Sequence, residues 1–205
     1  MGNKHAMELL VEEEQYKFLT CLSHQRHDWL NHFQVLLGYL KLQRYDLCEE
    51  YIKRVTEQTN NESRISSLGI RPLTAYLLTY NSLHKNVRLE VEVPEIVNLT
   101  KLPNELQDRV YKLIVGIVEG YSRHSLSNDG QPNVLLLLIK KLEKALYISV
   151  EYEGALEDRE TLHTLYTLVE ELGNEEGFFV EGLHNNHESM MEFYVPLSLE
   201  AEVKG

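Results

Sequence analysis

The stretch Leu19-Thr-Cys-Leu-Ser-His-Gln-Arg-His-Asp-Trp-Leu-Asn-His-Phe-Gln-Val-Leu-Leu-Gly-Tyr-Leu40 decides the architecture. Leu19, Leu22, Leu30, Phe33, Leu37 and Leu40 recur at spacings of three or four, with one gap bridged across Arg26, the period of an α-helix with one apolar face. No proline interrupts Met7 to Leu42 and Gly38 is the only glycine there, so a single helix of roughly 50 Å is predicted at about 1.5 Å per residue. Asp46 with Glu49 has the form of a capping box. After it, Leu47, Cys48, Tyr51, Ile52 and Val55 make a second apolar stripe that Thr59, Asn60 and Asn61 are expected to end. The link Gln43 to Tyr45 is too short for anything but an antiparallel hairpin. Two helices bury only one seam between them. The rest of the stripe, Trp29 and Leu36 included, needs another partner, and an identical hairpin supplies it by forming a four-helix bundle as a homodimer.

Beyond the polar stretch Asn60 to Ser67 the hydrophobic period changes. Pro72 suits the first turn of a helix carrying Leu73, Tyr76, Leu77 and Tyr80, and Val87 to Val93 alternates as a strand with one face in water. Pro103 opens a further helix with Leu106, Val110, Leu113, Ile114, Ile117 and Val118 on one face. Val134 to Ile139 is a wholly apolar run of strand length, Leu146 to Tyr152 alternates, Thr161 to Leu172 reads as helix, and Met191 to Val195 alternates again. The predicted class is therefore α+β. A helical hairpin (1–66), for docking and dimerisation, precedes an α/β layer (67–205) whose sheet has helices on one side.

Composition narrows the function classes. The 205 residues carry 20 Lys and Arg against 32 Asp and Glu, a net charge of −12, which disfavours nucleic acid bound through its phosphates. No apolar run approaches the roughly 18 to 20 residues of a membrane span, and Met1 to Leu10 lacks the basic flank and apolar stretch of a signal peptide, so a cytoplasmic protein is expected, with no membrane partner. Cys21 and Cys48 suit a reducing compartment, and both are expected to be small buried residues.

Nine histidines are present, and one lies on a distinctive face. Thr20, His24, His27, Asn31 and Gln34 form a polar stripe on the long helix, away from Leu30, Phe33 and Leu37, while Trp29 points nearly opposite to His27 and is expected in the bundle core. Near neutral pH an unperturbed imidazole is mostly uncharged and keeps one ring nitrogen free to act as a nucleophile. Asp28 beside it could fix the tautomer or accept a proton, and Arg26 could hold the oxygens of a transferring phosphoryl group. By spacing alone, His27 is equally an ordinary solvated surface residue, and His24 with His27 makes an i, i+3 pair to which no third metal ligand is evident.

The string Arg26-His-Asp-Trp-Leu-Asn31, followed by Gln34, Gly38 and the turn Leu42-Gln-Arg-Tyr-Asp46, resembles the sporulation initiation phosphotransferase B family and the related hairpin of a subclass of sensor histidine kinases. The resemblance covers roughly residues 18 to 58. It implies that His27 accepts a phosphoryl group, that the chain forms a homodimer through a four-helix bundle, and that the second domain is a degenerate relative of the histidine-kinase ATP-binding domain. Where kinases of that fold carry a Glu-Asn-Ala helix motif, this sequence reads Glu119-Gly120-Tyr121, and where they carry Asp-x-Gly it reads Tyr152-Glu153-Gly154. Only scattered glycines, Gly173, Gly177 and Gly182, stand where a phosphate loop would be, and there is no Gly-Lys-Ser/Thr P-loop.

The resemblance thus implies a phosphorelay enzyme without ATP use and with no cofactor of its own, the Mg²⁺ coming with a docked response regulator. His27 would take the phosphoryl group from the aspartate of one response regulator and pass it to that of a second, with Ser23, His24, Asn31 and Gln34 in the docking surface. The rivals are an ATP-dependent sensor kinase core, against which Gly120 and Tyr152 speak, and a non-catalytic dimeric adaptor in which His27 is plain surface.

Overall fold

The computed structural model describes residues 2–127, 130, 132–172 and 178–197, with the side chains of residues 2–8 and 10 outside the description. Gly173 and Gly177 lie outside the described residues. The chain divides into two compact units, Met1–Asn60 and Asn61–Gly205.

The first unit is a hairpin of α1 (Gly2–Lys41) with the start of α2 (Tyr45–Ser66). At its turn, the Gln43 N–H donates to Leu40 O and the Arg44 N–H donates to Tyr39 O, with Gln43 in the left-handed region at φ 54°. This is a Schellman closure, and it uses glutamine at the position where glycine is commonest. The seam is made by His32, Val35, Leu36 and Tyr39 of α1, spaced i, i+3, i+4, i+7, against Cys48, Tyr51 and Val55 of α2. The His32 Nδ1 and Tyr51 hydroxyl meet at 2.9 Å, and the Arg54 guanidinium lies 4.7 Å above the Tyr51 ring.

Four expectations for the hairpin need correction. α2 does not end at Thr59–Asn61 but runs to Ser66. The polar groups that compete for helix backbone are engaged elsewhere: the Thr59 hydroxyl donates to Val55 O, and the Asn61 amide donates to Val91 O and accepts from the Val93 N–H. Asp46 lies inside the first turn of α2 rather than capping it, because Arg44 claims its carboxylate through two bonds of 3.0 and 2.7 Å. Cys48 is buried, but Cys21 is only partly so, since a single hairpin covers its face of α1 incompletely. Leu36, expected to need a partner outside the hairpin, lies in the α1–α2 seam, with Cys48 Sγ 3.8 Å from its carbonyl oxygen, while Trp29, 46% exposed in a single chain, packs against His32 and Phe33 of its own helix.

Arg44 holds the exposed Asp46 carboxyl well below its ordinary 3.8, at about 2. Because the folded-state value is depressed, the pair's small contribution is present above pH ~4 and fades as the pH falls toward 2. An NMR titration of the Asp46 carboxyl should give that low midpoint in the wild type and return it toward 3.8 in Arg44→Ala.

The second unit continues with α3 (Arg71–Leu83), β1 (Val87–Glu92), α4 (Asn104–His124), β2 (Asn133–Lys141), β3 (Ala145–Glu153), α5 (Asp158–Glu171), β4 (Phe179–His184) and β5 (Glu188–Pro196). The sheet order is β1-β2-β3-β5-β4, with β1 parallel to β2 and every other pair antiparallel. One face of the sheet carries Leu135, Leu137 and Ile139, Leu146, Ile148 and Val150, and Met191, Phe193 and Val195, all buried. Over it pack Leu113, Ile114 and Ile117 of α4, Leu73 and Leu77 of α3, and Leu165 and Val169 of α5. The class is α+β, as the change of period predicts.

Gly154 ends β3 at φ +149°, and a Cβ there would stand 2.2 Å from Asn133 Oδ1 and 3.0 Å from Asn133 Cα. The Asn133 side chain cannot swing away: it donates to Leu126 O and Asn86 O and accepts from the Ala155 N–H. Gly154→Ala should therefore cost about 1–3 kcal/mol through strain and clash, read as a lower urea midpoint at an unchanged slope.

Candidate functional site

The middle of α1 presents three arcs. At about 100° per residue, the seam residues His32, Val35, Leu36 and Tyr39 lie roughly 80–180° to one side of His27. An apolar arc of Leu19, Leu22, Leu30, Phe33, Leu37 and Leu40 lies roughly 60–140° to the other side. This second arc is the predicted stripe, and within one chain it is uncovered: Leu30 is 59%, Phe33 60% and Leu37 52% exposed. His27 stands between the arcs with 71% of its side chain open to solvent.

Its Nδ1 lies 3.1 Å from Asn31 Nδ2 and 3.6 Å from Asp28 Oδ1. The amide can meet the ring in two ways. With nitrogen inward it donates to Nδ1, and turned by half a rotation its oxygen accepts an Nδ1–H. In either case Nδ1 is occupied and Nε2 points away from the helix partner. Asp28 at this distance is not near enough for a strong hydrogen bond. Arg26, Ser23, Asn31 and Gln34 are exposed and His24 is half-buried; Ser23, His24, Asn31 and Gln34 lie within about 60° of His27 around the helix over about three turns, whereas Arg26 and Asp28 lie about 100° to either side.

Leu30 is the residue that the sequence reading set apart from this surface. It lies only about 60° around the helix from His27 and one turn along, giving the imidazole an apolar neighbour. The signal was available in the i, i+3 spacing. His32, unremarked in the sequence, proves to be a seam residue tied to Tyr51. Among the described residues no group of three or more His, Cys, Asp or Glu side chains is placed to hold a metal ion.

In the second unit the two departures from kinase motifs have physical settings. Gly120 lies on the face of α4 that packs on α5, where a Cβ would already touch Thr164 Cγ2 at 3.4 Å. Glu119, beside it, accepts a 2.7 Å bond from the Tyr76 hydroxyl, whose pKa burial and this carboxylate push far above the usual phenol range. Tyr152 stacks on Tyr121 with ring centroids 5.2 Å apart and planes 19° from parallel. Both rings are buried, and burial raises both phenols well above their ordinary value. A directed chain of bonds runs on from them. Asp158 O can only accept, so His184 Nε2–H donates to it at 2.7 Å; the Ser189 hydroxyl then donates to His184 Nδ1 at 2.8 Å, and the Tyr121 hydroxyl to Ser189 Oγ at 2.6 Å.

A solvent-facing histidine on a helical hairpin thus precedes a mixed five-strand sheet with helices on one side, and the family comparisons place this arrangement among phosphotransferases of two-component signalling. The chain belongs to the sporulation initiation phosphotransferase B family. The model for the Sensor_kinase_SpoOB-type alpha-helical domain matches residues 7–68, and that for the C-terminal part of sporulation initiation phospho-transferase B matches residues 69–195. Sporulation initiation phosphotransferase B of Bacillus subtilis (strain 168) is 29% identical over 143 residues, which is 69% of this chain and 72% of that protein. Among solved structures, a histidine kinase from Burkholderia phymatum STM815 overlays with a TM-score of 0.43 at 15% identity, over 75% of this chain and 80% of that one. The Acinetobacter baumannii histidine kinase AdeS gives 0.39 at 8%, over 84% and 98%. No helix among the described residues is long and apolar enough to cross a membrane.

Proposed function

We infer that His27 is the phosphoryl carrier of a phosphorelay, receiving the group from the aspartyl phosphate of one response regulator and donating it to the aspartate of a second. The observation that carries this reading is the exposed imidazole whose Nδ1 is engaged by Asn31 while Nε2 is open to solvent. In the reacting tautomer Nδ1 carries the proton, the Asn31 amide having turned its oxygen inward to accept it, and the lone pair resides on Nε2. Nε2 attacks phosphorus in line, the N–P bond forms as the bond from phosphorus to the aspartyl oxygen breaks, and the carboxylate leaves. The ring then carries positive charge, which Asp28 at 3.6 Å offsets. The reverse sequence delivers the group to the second aspartate.

Such a transfer needs alignment and charge neutralisation more than covalent help from the protein. The receiver brings its own Mg²⁺. Arg26 adds a mobile cation beside the transferring oxygens, and Ser23, His24, Asn31 and Gln34, together with Leu30, form the docking surface. The exposed apolar arc supports a homodimer in which two hairpins make a four-helix bundle, with residues 1–66 as the docking domain and 67–205 as a degenerate kinase-like domain. The Tyr121–Tyr152 stack and the α5-facing Gly120 support a second domain that does not use ATP.

The test is incubation with a phosphorylated receiver domain, followed by mapping of acid-labile, base-stable phosphate. Label is expected on the peptide that contains His27. Labelling of the wild type by ATP alone would replace this reading with that of a kinase. Asn31 has a separate expected result. Asn31→Ala frees the ring to change tautomer and should slow phosphoryl uptake about tenfold, the worth of one hydrogen bond, while Asn31→Asp, which still accepts Nδ1–H, should recover most of the rate. Rapid-quench kinetics at saturating receiver separate this effect from weaker docking.

A further inference from the structure

On the sheet face opposite the helices the side chains alternate in a consistent way. One row across four strands reads Glu90, Leu136, Glu151, Met190; the neighbouring row reads Arg88, Val134, Glu153, Glu188. Val134, Leu136 and Leu138 of β2 are half-buried, and Met190 and Leu183 are exposed. Val134, Leu136, Leu183 and Met190, together with Glu90, Glu151, Glu153 and Glu188, line an open trough of about 330 Å³, and Leu138 continues the apolar row of β2 beyond it. Its floor is apolar and its walls are acidic.

Among the described residues these charges are only partly neutralised. Arg88 takes Glu90 at 2.7 Å, and Tyr147 and Tyr194 donate to Glu192. Among the described residues no lysine or arginine pairs with Glu151, Glu153 or Glu188. Glu153 and Glu188 stand directly opposite each other across β3 and β5, an arrangement of like charges that weakens a sheet unless something cationic lies over it.

We propose that this face is a docking surface for an amphipathic helix of another protein, its apolar side on Val134, Leu136, Leu138 and Met190 and its flanking lysines or arginines against Glu151, Glu153 and Glu188. A second copy of the chain is the wrong occupant, because it brings the same carboxylates and a net charge of −12. An added strand is excluded by position: β2, β3 and β5 are interior strands whose main-chain groups are already paired, so contact must come through side chains. A helix offers apolar groups on one side at a spacing that matches alternate residues along β2, with long basic side chains at the margins.

The experiment uses the full chain and a fluorescein-labelled 14-residue peptide of leucine and lysine with helical amphipathic periodicity, followed by anisotropy at about 150 mM salt. One peptide should bind per chain. The double reversal Glu151→Lys with Glu188→Lys should weaken binding at least about tenfold, and Leu136→Ser should weaken it by several-fold. A charge-matched control on exposed positions of α1, Glu12→Lys with Glu14→Lys, should change it less than about twofold. Equal weakening by the two double reversals would reduce the binding to bulk charge and overturn the proposal. So would an affinity indifferent to Leu136→Ser, or no saturable binding. Circular dichroism confirms that each variant is folded.

Discussion

Replacement of His27 by alanine is expected to leave a folded protein that takes up no phosphoryl group from a phosphorylated receiver, a loss of at least ~10³-fold in rate. The fold should survive because the side chain is 71% exposed and its hydrogen-bond partner is Asn31, also on the surface. Nothing else on this face can take the nucleophile's place: His24 is one turn away and half-buried, and Ser23 and Gln34 are poor nucleophiles without a general base. His27→Gln keeps the size and polarity of the side chain, so it should retain receiver docking while losing transfer. Radiolabel transfer and a pull-down with the unphosphorylated receiver measure the two effects separately. Retention of acid-labile label in His27→Ala would remove the basis of the phosphorelay reading.

The second large effect concerns the uncovered arc of α1. Phe33 and Leu37 are 60% and 52% exposed in a single chain and adjoin Leu30, Leu40 and Trp29. Burying a side chain of this size is worth about 1.5–3 kcal/mol, so the arc from two chains holds enough apolar surface for a stable bundle. Phe33→Glu with Leu37→Glu places up to four carboxylates in that interface, where an unpaired charge is costly. Sedimentation at micromolar concentration should give the wild type at twice its 23.9 kDa chain mass and the double variant at the single-chain mass. A wild type that sediments as one chain would rule out the bundle. The same variant should also lose transfer if a receiver docks across both hairpins, since His27 lies at the margin of the arc.

Much of this was legible in residue order. The hairpin, the class, the approximate bounds of most helices and strands, and the polar setting of His27 follow from periods of 3.6 and 2 that any short window contains, whereas β4 is not placed by them. The errors came where polar side chains act over distance. Asn61 reads as a helix breaker until its amide is seen on Val91 and Val93, thirty residues away in sequence, and Asp46 reads as a cap until Arg44 is seen to hold it. Leu30 was misjudged for a simpler reason: it belongs to the apolar stripe and to the His27 neighbourhood at once, and a two-faced picture of the helix has no place for a residue on the border.

The sequence by itself determined that a long helix carries an accessible histidine between a carboxylate and a guanidinium, because side-chain direction on a helix is a local property of the backbone. Only the tertiary structure decided which of the two apolar arcs closes on α2, leaving Phe33 and Leu37 open while His32, Leu36 and Tyr39 form the seam. It alone decided that β5 runs between β3 and β4, that Tyr121 stacks on Tyr152, and that four carboxylates border an apolar trough. These features depend on pairings between residues such as Tyr121 and Ser189, 68 positions apart, and a local period carries no information about which distant partner wins the competition to be buried together.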